Sequence, residues 1–163
     1  MDNGPQKLVV GIADMKMAQR GGELITYALG SCIGICLYDP AVQLAALIHI
    51  MLPLNMEAGR KNPMKYADSG IRETLRQMEG QGGLRPRITA KIAGGARMFE
   101  VSGGGSLGNI GQRNIESVHL ILKRENIRLL AEDTGGTIAR TLSFNPTTGQ
   151  GRIRSYGKPE LVF

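Results

Sequence analysis

The sequence predicts a mixed domain of the α/β or α+β class, and three observations lead there. Two segments repeat apolar residues at the three- and four-residue spacing of an amphipathic helix. Eight shorter segments are apolar and short in the manner of strands. Glycine, at 23 of 163 residues, punctuates the chain well above its usual share of about 7%, without the period of a collagen.

Taken in order, Lys7 to Ile12 and Glu23 to Leu29 read as strands, and Gly30-Ser31 breaks the second. Ile33 to Tyr38 alternates large and small residues, with Ile33, Ile35 and Leu37 on one face. Asp39-Pro40-Ala41-Val42 fits a type I turn, since proline is preset for the second position and aspartate bonds back to the backbone. Gln43 to Leu52 returns as the next strand. A helix follows, with Asn62 as its cap, Pro63 at its first position and Met64, Ala67, Ile71, Leu75 and Met78 on its apolar face. Ile88 to Ala93 is a strand and Gly94 to Gly108 a glycine-rich loop. Ile110 to Glu125 is a second helix that buries Ile115, Val118 and Leu122. Ile127 to Ala131 is a strand ending in the loop Glu132 to Gly136, and Ala139–Phe144 with Gly151–Tyr156 forms a hairpin. The length suits one domain over residues 1–163, with residues 1–6 expected to be disordered.

Composition excludes several classes. Hydrophobic residues make up 42%, which argues against wholesale disorder, and aromatics only 4% with no Trp, which argues against a stacking platform for single-stranded nucleic acid. A net charge of +6 favours an acidic partner, although the basic residues are scattered. No signal peptide is visible at the start, and Leu44 to Leu54 is too short to span a bilayer, so a cytoplasmic protein without membrane insertion is expected. Cys32 and Cys36 would lie roughly 13 Å apart on a strand, too far for a disulfide, and read as free thiols.

The hairpin around Asp39 carries the informative arithmetic. If Asp39 and Val42 close the turn, Tyr38 faces Gln43, Ile35 faces Ala46 and Cys32 faces His49. Opposed residues have Cβ atoms about 4.5–5.5 Å apart on one face, so a thiol and an imidazole meet. An imidazole that takes a thiol proton makes a nucleophile, and the backbone N–H groups of Ser31 and Cys32, at the Gly30 bend, could hold an oxyanion. The alternative is a buried cysteine beside a hydrogen-bonded histidine. A catalytic Cys32 should react with iodoacetamide faster than Cys36, most visibly below pH 8. Zinc is disfavoured, because Cys32, Cys36 and His49 lack a nearby second histidine, the other being His119, a surface residue by its helix position. Gly103 to Gly108 matches a dinucleotide fingerprint but starts about ten residues after its strand, out of place for that motif.

The blocks around this pair carry a resemblance. Leu29-Gly30-Ser31-Cys32 is followed by His49-Ile50-Met51-Leu52-Pro53, then Lys65-Tyr66-Ala67-Asp68, Lys91-Ile92-Ala93-Gly94-Gly95-Ala96 and Met98-Phe99. Asn109-Ile110-Gly111 with Asn114, and Ala131-Glu132-Asp133-Thr134-Gly135-Gly136, complete the series. From Leu8 to Tyr156 the chain resembles the chemoreceptor glutamine deamidases, the CheD family; Val101 to Gly108 departs from the family pattern in length and glycine content.

That resemblance implies a cysteine hydrolase that converts selected glutamines in the cytoplasmic helical bundle of methyl-accepting chemotaxis receptors to glutamate, releasing ammonia, with no cofactor and no metal. It implies Cys32 as nucleophile, His49 as base and Thr26 as the residue orienting the imidazole, through its hydroxyl or its backbone carbonyl. The implied fold, shared with a bacterial toxin glutamine deamidase, is α+β: mixed β-sheets packed as a sandwich with two main helices outside. The implied partners are the receptors and CheC, a phosphatase of the phosphorylated response regulator, and no nucleic acid. Asn109, Asn114, Asp133 and Thr134 could recognise the glutamine amide or shape the site; loop hydrogen bonding and helix capping explain them equally well. A non-catalytic adaptor that binds receptors or CheC with an idle cysteine is the competing reading.

Overall fold

Ten strands and two helices build the computed structural model of the chain, which describes residues 6–54, 62–98 and 109–163. The strands are β1 (Lys7–Val9), β2 (Met15–Gln19), β3 (Glu23–Leu29), β4 (Ile33–Asp39), β5 (Leu44–Ile50), β6 (Thr89–Gly94), β7 (Arg128–Thr134), β8 (Arg140–Asn145), β9 (Gln150–Ser155) and β10 (Leu161–Val162). The helices are α1 (Ala67–Gly80) and α2 (Ile110–Arg124). One sheet has the order β1-β3-β8-β9-β10 and the other β2-β5-β4-β6-β7. Each is mixed, antiparallel except for the parallel pairs β1–β3 and β6–β7. This is the α+β arrangement expected, with two sheets packed together and two helices outside.

The alternation of β4 and β5 sorts the core into two layers. Ile33, Ile35, Leu37, Ile48 and Ile50 face the helices and meet Ile71, Leu75, Met78, Ile115, Val118 and Leu122. Cys36, Ala45 and Leu47 point the other way, onto Leu24, Leu29, Leu142, Phe144 and Ile153 of the first sheet. The central strands β4 and β5 are therefore buried on both faces, which is why β5 reads as a continuous apolar run.

Several boundaries differ from expectation for identifiable reasons. Pro63–Lys65 forms a separate 3-10 turn capped by Asn62, whose side chain accepts from Met64 N–H; Tyr66 is extended (φ −119°, ψ 146°) and α1 starts only at Ala67. Glu132, Asp133 and Thr134 continue β7 rather than forming a loop, because β6 pairs with them through Gly94↔Thr134. β2 and β10 are not expected from the sequence: Met15–Gln19 consists of helix-favouring residues, and Leu161–Val162 is only two residues long. Residues 1–5 and the Gly103–Gly108 loop lie outside the described residues, while the Gln6 carbonyl accepts from Glu23 N–H. Among the described residues no helix is long and apolar enough to cross a membrane.

The β4–β5 hairpin is also registered differently. Asp39 pairs with Leu44 and Gly34 with His49, so the loop is Pro40 to Gln43 and the ladder is displaced by two residues from the expected Cys32–His49 pairing. Gln43 takes a left-handed conformation (φ 50°), which admits the longer loop. Asp39 remains in the strand because its buried carboxylate is occupied: Arg87 donates from Nε and Nη2, and the N–H groups of Leu84 and Ala41 donate as well. Burial alone would raise the Asp39 carboxyl's pKa; the Arg87 hydrogen bonds and charge, with the two N–H donors, override it and hold the group below its usual value.

A carboxyl lowered on folding contributes stability above its unfolded pKa, about 4, and loses it as pH falls through the folded value. Asp39→Asn should therefore destabilise the protein by about 2 kcal/mol in urea unfolding at neutral pH. The gap should narrow at acid pH; an equal gap at both would contradict this role.

Candidate active site

Strand β3 carries a bulge between Thr26, opposite Leu142, and Leu29, opposite Arg140. Ala28 adopts φ 57° within it, and the Gly30 N–H donates back to the Ala28 carbonyl at 3.0 Å. The extra residue shifts the strand's phase, so Leu24, Thr26 and Leu29 all point to the second sheet while Tyr27 and Ala28 are exposed. The left-handed residue of this bend is thus Ala28, not Gly30. A Cβ on Gly30 would instead lie 3.0 Å from Met98 Cγ, and that packing is what the glycine there serves.

Thr26 reaches across the sandwich. Its Oγ1 lies 2.7 Å from His49 Nδ1 and donates to the Val10 carbonyl at 2.7 Å. A hydroxyl has one proton. With that proton on the Val10 carbonyl, Thr26 must accept from His49, so the neutral ring carries its hydrogen on Nδ1 and leaves Nε2 as a bare lone pair. It is the side-chain hydroxyl of Thr26, not its backbone carbonyl, that meets the imidazole. The sheets approach closely enough because Gly34, opposite His49, has no side chain: a Cβ there would stand 2.8 Å from Leu142 Cδ2 and 3.5 Å from Thr26 Cγ2.

His49 is 1% exposed, and its Nε2 is buried without a hydrogen-bond partner among the described residues. Burial holds its pKa below the ordinary histidine value. Cys32 lies two residues ahead of Gly34, in the bend leading into β4. Displacement of the ladder by two residues rather than one preserves the side-chain parity: Gly34 rather than Cys32 stands opposite His49, and Cys32, just ahead of the strand, packs against the inter-sheet cluster. The thiol is partly exposed, and burial pushes its pKa above the usual value against a smaller opposing pull from its own backbone N–H. Cys36 is wholly buried, and desolvation pushes it far higher, with only partial relief from the Lys91 charge.

The bend that holds Cys32 is tied by its carbonyls. Gly30 O accepts from Ala96 N–H at 2.8 Å, Cys32 O from Gly95 N–H at 2.9 Å, and Ser31 O from Asn114 Nδ2 at 2.9 Å. Among the described residues, the N–H groups of Ser31 and Cys32 donate to no other residue. Gly94 (φ 118°) must be glycine, because a Cβ there would lie 2.2 Å from Cys32 O. Arg140, 8% exposed, donates to Gly94 O, Gly135 O and the Asp133 carboxylate, and so braces this turn from below. The Gly94-Gly95 block was visible in the sequence, but nothing local pointed to Arg140 or to the Val10 carbonyl.

The other candidate residues are dispersed. Asn114 is fully buried on α2. Asn109 is exposed at the start of α2, makes no capping bond, and lines a groove of about 360 Å³ with Arg97, Gln112 and Gly136. Asp133 is engaged by Arg140. Thr134 donates to Glu132, which also meets His119 Nε2 at 2.9 Å on the surface. A second groove, about 430 Å³ and lined by Leu52, Pro53, Tyr66 and Arg113, lies on the other side of α2's first turn.

Comparison with known proteins bears on this arrangement. Residues 51–155 match the family model described as CheD chemotactic sensory transduction. A protein of Syntrophomonas wolfei named "Probable chemoreceptor glutamine deamidase CheD" is 46% identical over 94% of this chain and 96% of its own length. Proteins of the same name from Moorella thermoacetica and Desulforamulus reducens are 46% and 45% identical, over 97% and 98% of this chain and 96% of each relative. The chain belongs to the CheD family. The family model's match begins two residues after His49, so membership does not hang on the cysteine–histidine pair. The near-full-length relatives extend the likeness over the amino-terminal half.

Burial disfavours charge on both Cys32 and His49, which changes the pH at which Cys32 and Cys36 should differ. Alkylation of Cys32 by iodoacetamide should accelerate through a midpoint above the free-thiol value of about 8.5, with Cys36 inert throughout. A fast, pH-independent rate on the acid side of neutrality would reveal a preformed thiolate–imidazolium pair instead.

Proposed function

We propose that this protein is a protein-glutamine deamidase acting on chemotaxis receptors, with Cys32 as nucleophile, His49 as general base and acid, and Thr26 as the group orienting the imidazole. The observation that carries the reading is the bond chain from Val10 O through Thr26 Oγ1 to His49 Nδ1, which leaves Nε2 bare on the face that carries Cys32. Membership of the CheD family supports the substrate class, since the relatives are named for chemoreceptor glutamine.

Nε2 takes the Cys32 proton as sulfur attacks the carboxamide carbon, and the N–H groups of Ser31 and Cys32 hold the oxyanion. The Nε2 proton then passes to the departing nitrogen, which leaves as ammonia, and a thioester remains. Nε2 next removes a proton from water; the hydroxide adds to the thioester carbon, the C–S bond breaks, and sulfur regains its proton as glutamate forms. Because neither group is charged beforehand, the thiolate forms as substrate arrives. The net charge of +6 favours encounter with an acidic receptor bundle. On family grounds the same reading takes the cytoplasm as the site of action and CheC as a further partner, competing with receptors for the protein.

Incubation with a receptor cytoplasmic fragment should release ammonia and give the mass gain of an amide-to-acid exchange at individual glutamines. Cys32→Ala should abolish both while leaving the circular dichroism spectrum unchanged. Since His49 must be unprotonated in the free enzyme and burial lowers its pKa, kcat/KM should hold down to below pH ~6.5 before its acid limb falls. Full activity of Cys32→Ala would refute the mechanism, and receptor binding without any mass change would leave an adaptor.

A further inference from the structure

We infer that Asn114 is a positioning residue that fixes Cys32 relative to His49; the use of that spacing rests on the deamidase reading above. The β4–β5 ladder ends at Ile33↔Ile50, and beyond it the strands part. The Cys32 carbonyl turns to Gly95 N–H at 2.9 Å, while Met51 N–H turns to the Lys65 carbonyl, also at 2.9 Å. The fork opens between the segment holding Cys32 and the segment just past His49, leaving Ser31 O and Met51 O without ladder partners. Buried carbonyls in that state are costly.

Asn114 fills the fork. Its Nδ2 donates at 2.9 Å to Ser31 O and at 2.9 Å to Met51 O, using both amide hydrogens to join the two diverging strands. A hydroxyl has only one proton to give, and an ammonium would bury a charge. The helix is seated for this reach. A Cβ on Gly111, one turn earlier, would lie 2.6 Å from Ala96 O, and one on Gly95 would lie 2.5 Å from Ile115 Cγ1. α2 therefore presses directly on the turn that holds Cys32. Asn114 Oδ1 is buried with no partner among the described residues, so the position tolerates an unpaired acceptor to keep its two donors.

The consequence reaches the reacting groups. A trans peptide is planar, so pinning Ser31 O also sets the direction of Cys32 N–H on the opposite side of the same plane. That N–H is a proposed oxyanion donor, and the next bonds lead to the thiol. Met51, two residues past His49, anchors the other prong. One side chain thereby governs both the donor geometry and the separation of thiol from imidazole. With both hydrogens committed, Asn114 has no donor left for a glutamine substrate.

The test compares wild type, Asn114→Ala and the same-sized Asn114→Asp, whose carboxylate cannot donate to the two carbonyls. Both variants should melt cooperatively with native circular dichroism, keep KM on receptor fragment nearly unchanged, and lose kcat by about 100-fold, the penalty of a misplacement near 1 Å. In wild type, His49→Gln should slow Cys32 alkylation by iodoacetamide at neutral pH; in either Asn114 background the same change should make little further difference. A raised KM with kcat intact would make Asn114 a substrate contact. Unchanged kcat with His49-dependence retained, or failure of both variants to fold, would equally overturn the proposal. If wild type releases no ammonia at all, the deamidase reading falls, and the alkylation comparison alone decides whether Asn114 couples the thiol to the imidazole.

Discussion

A threonine hydroxyl has a single hydrogen, and the proposed active centre is organised by where that hydrogen goes. Val10 O receives it, so His49 must present Nδ1–H to Thr26 and keep Nε2 bare. Thr26 belongs to the first sheet and His49 to the second, which places the centre of the proposed chemistry in the seam between two packed layers. What keeps the sheets close there is the absence of a side chain at Gly34 and the bulge that turns Thr26 inward. Sheet packing and imidazole orientation are thus one constraint.

Burial acts on Cys32 and His49 in the same sense, disfavouring charge. It raises the thiol and lowers the imidazole, so a resting ion pair is disfavoured on both sides. A neutral resting pair suits a protein whose sulfur is partly open to solvent, since a thiol is less prone to oxidation than a thiolate. In the proposed mechanism the work of charge separation then falls to the arriving carboxamide and to the N–H groups of the Cys32 bend. Those donors are aimed because every carbonyl from Gly30 to Cys32 is tied elsewhere.

Much of the fold is legible from periodicity, and the parts that are not have specific causes. The faces of β4, α1 and α2 follow directly from apolar spacing, because burial drives them. The hairpin register does not follow, since Asp39-Pro40 reads as a two-residue turn until the Arg87 and Leu84 contacts are known, and these lie more than forty residues away. The displacement is even-numbered, so the side of the sheet each residue faces is the expected one. β7 runs past Ala131 because β6 offers it a partner, which no local propensity reports. At the site, the cysteine and histidine stand out by chemistry alone, whereas only the family resemblance points to Thr26. For Asn114 the sequence offers amide recognition or shaping of the site without deciding between them, because the fork it fills exists only after three separated segments meet.

The most direct measurement of the central claim is the tautomer of His49 by nitrogen-15 NMR of ring-labelled protein at neutral pH. The account predicts a neutral ring with its proton on Nδ1 and an unprotonated Nε2, and a loss of that bias in Thr26→Val. A proton resident on Nε2, or a doubly protonated ring at neutral pH, would contradict it.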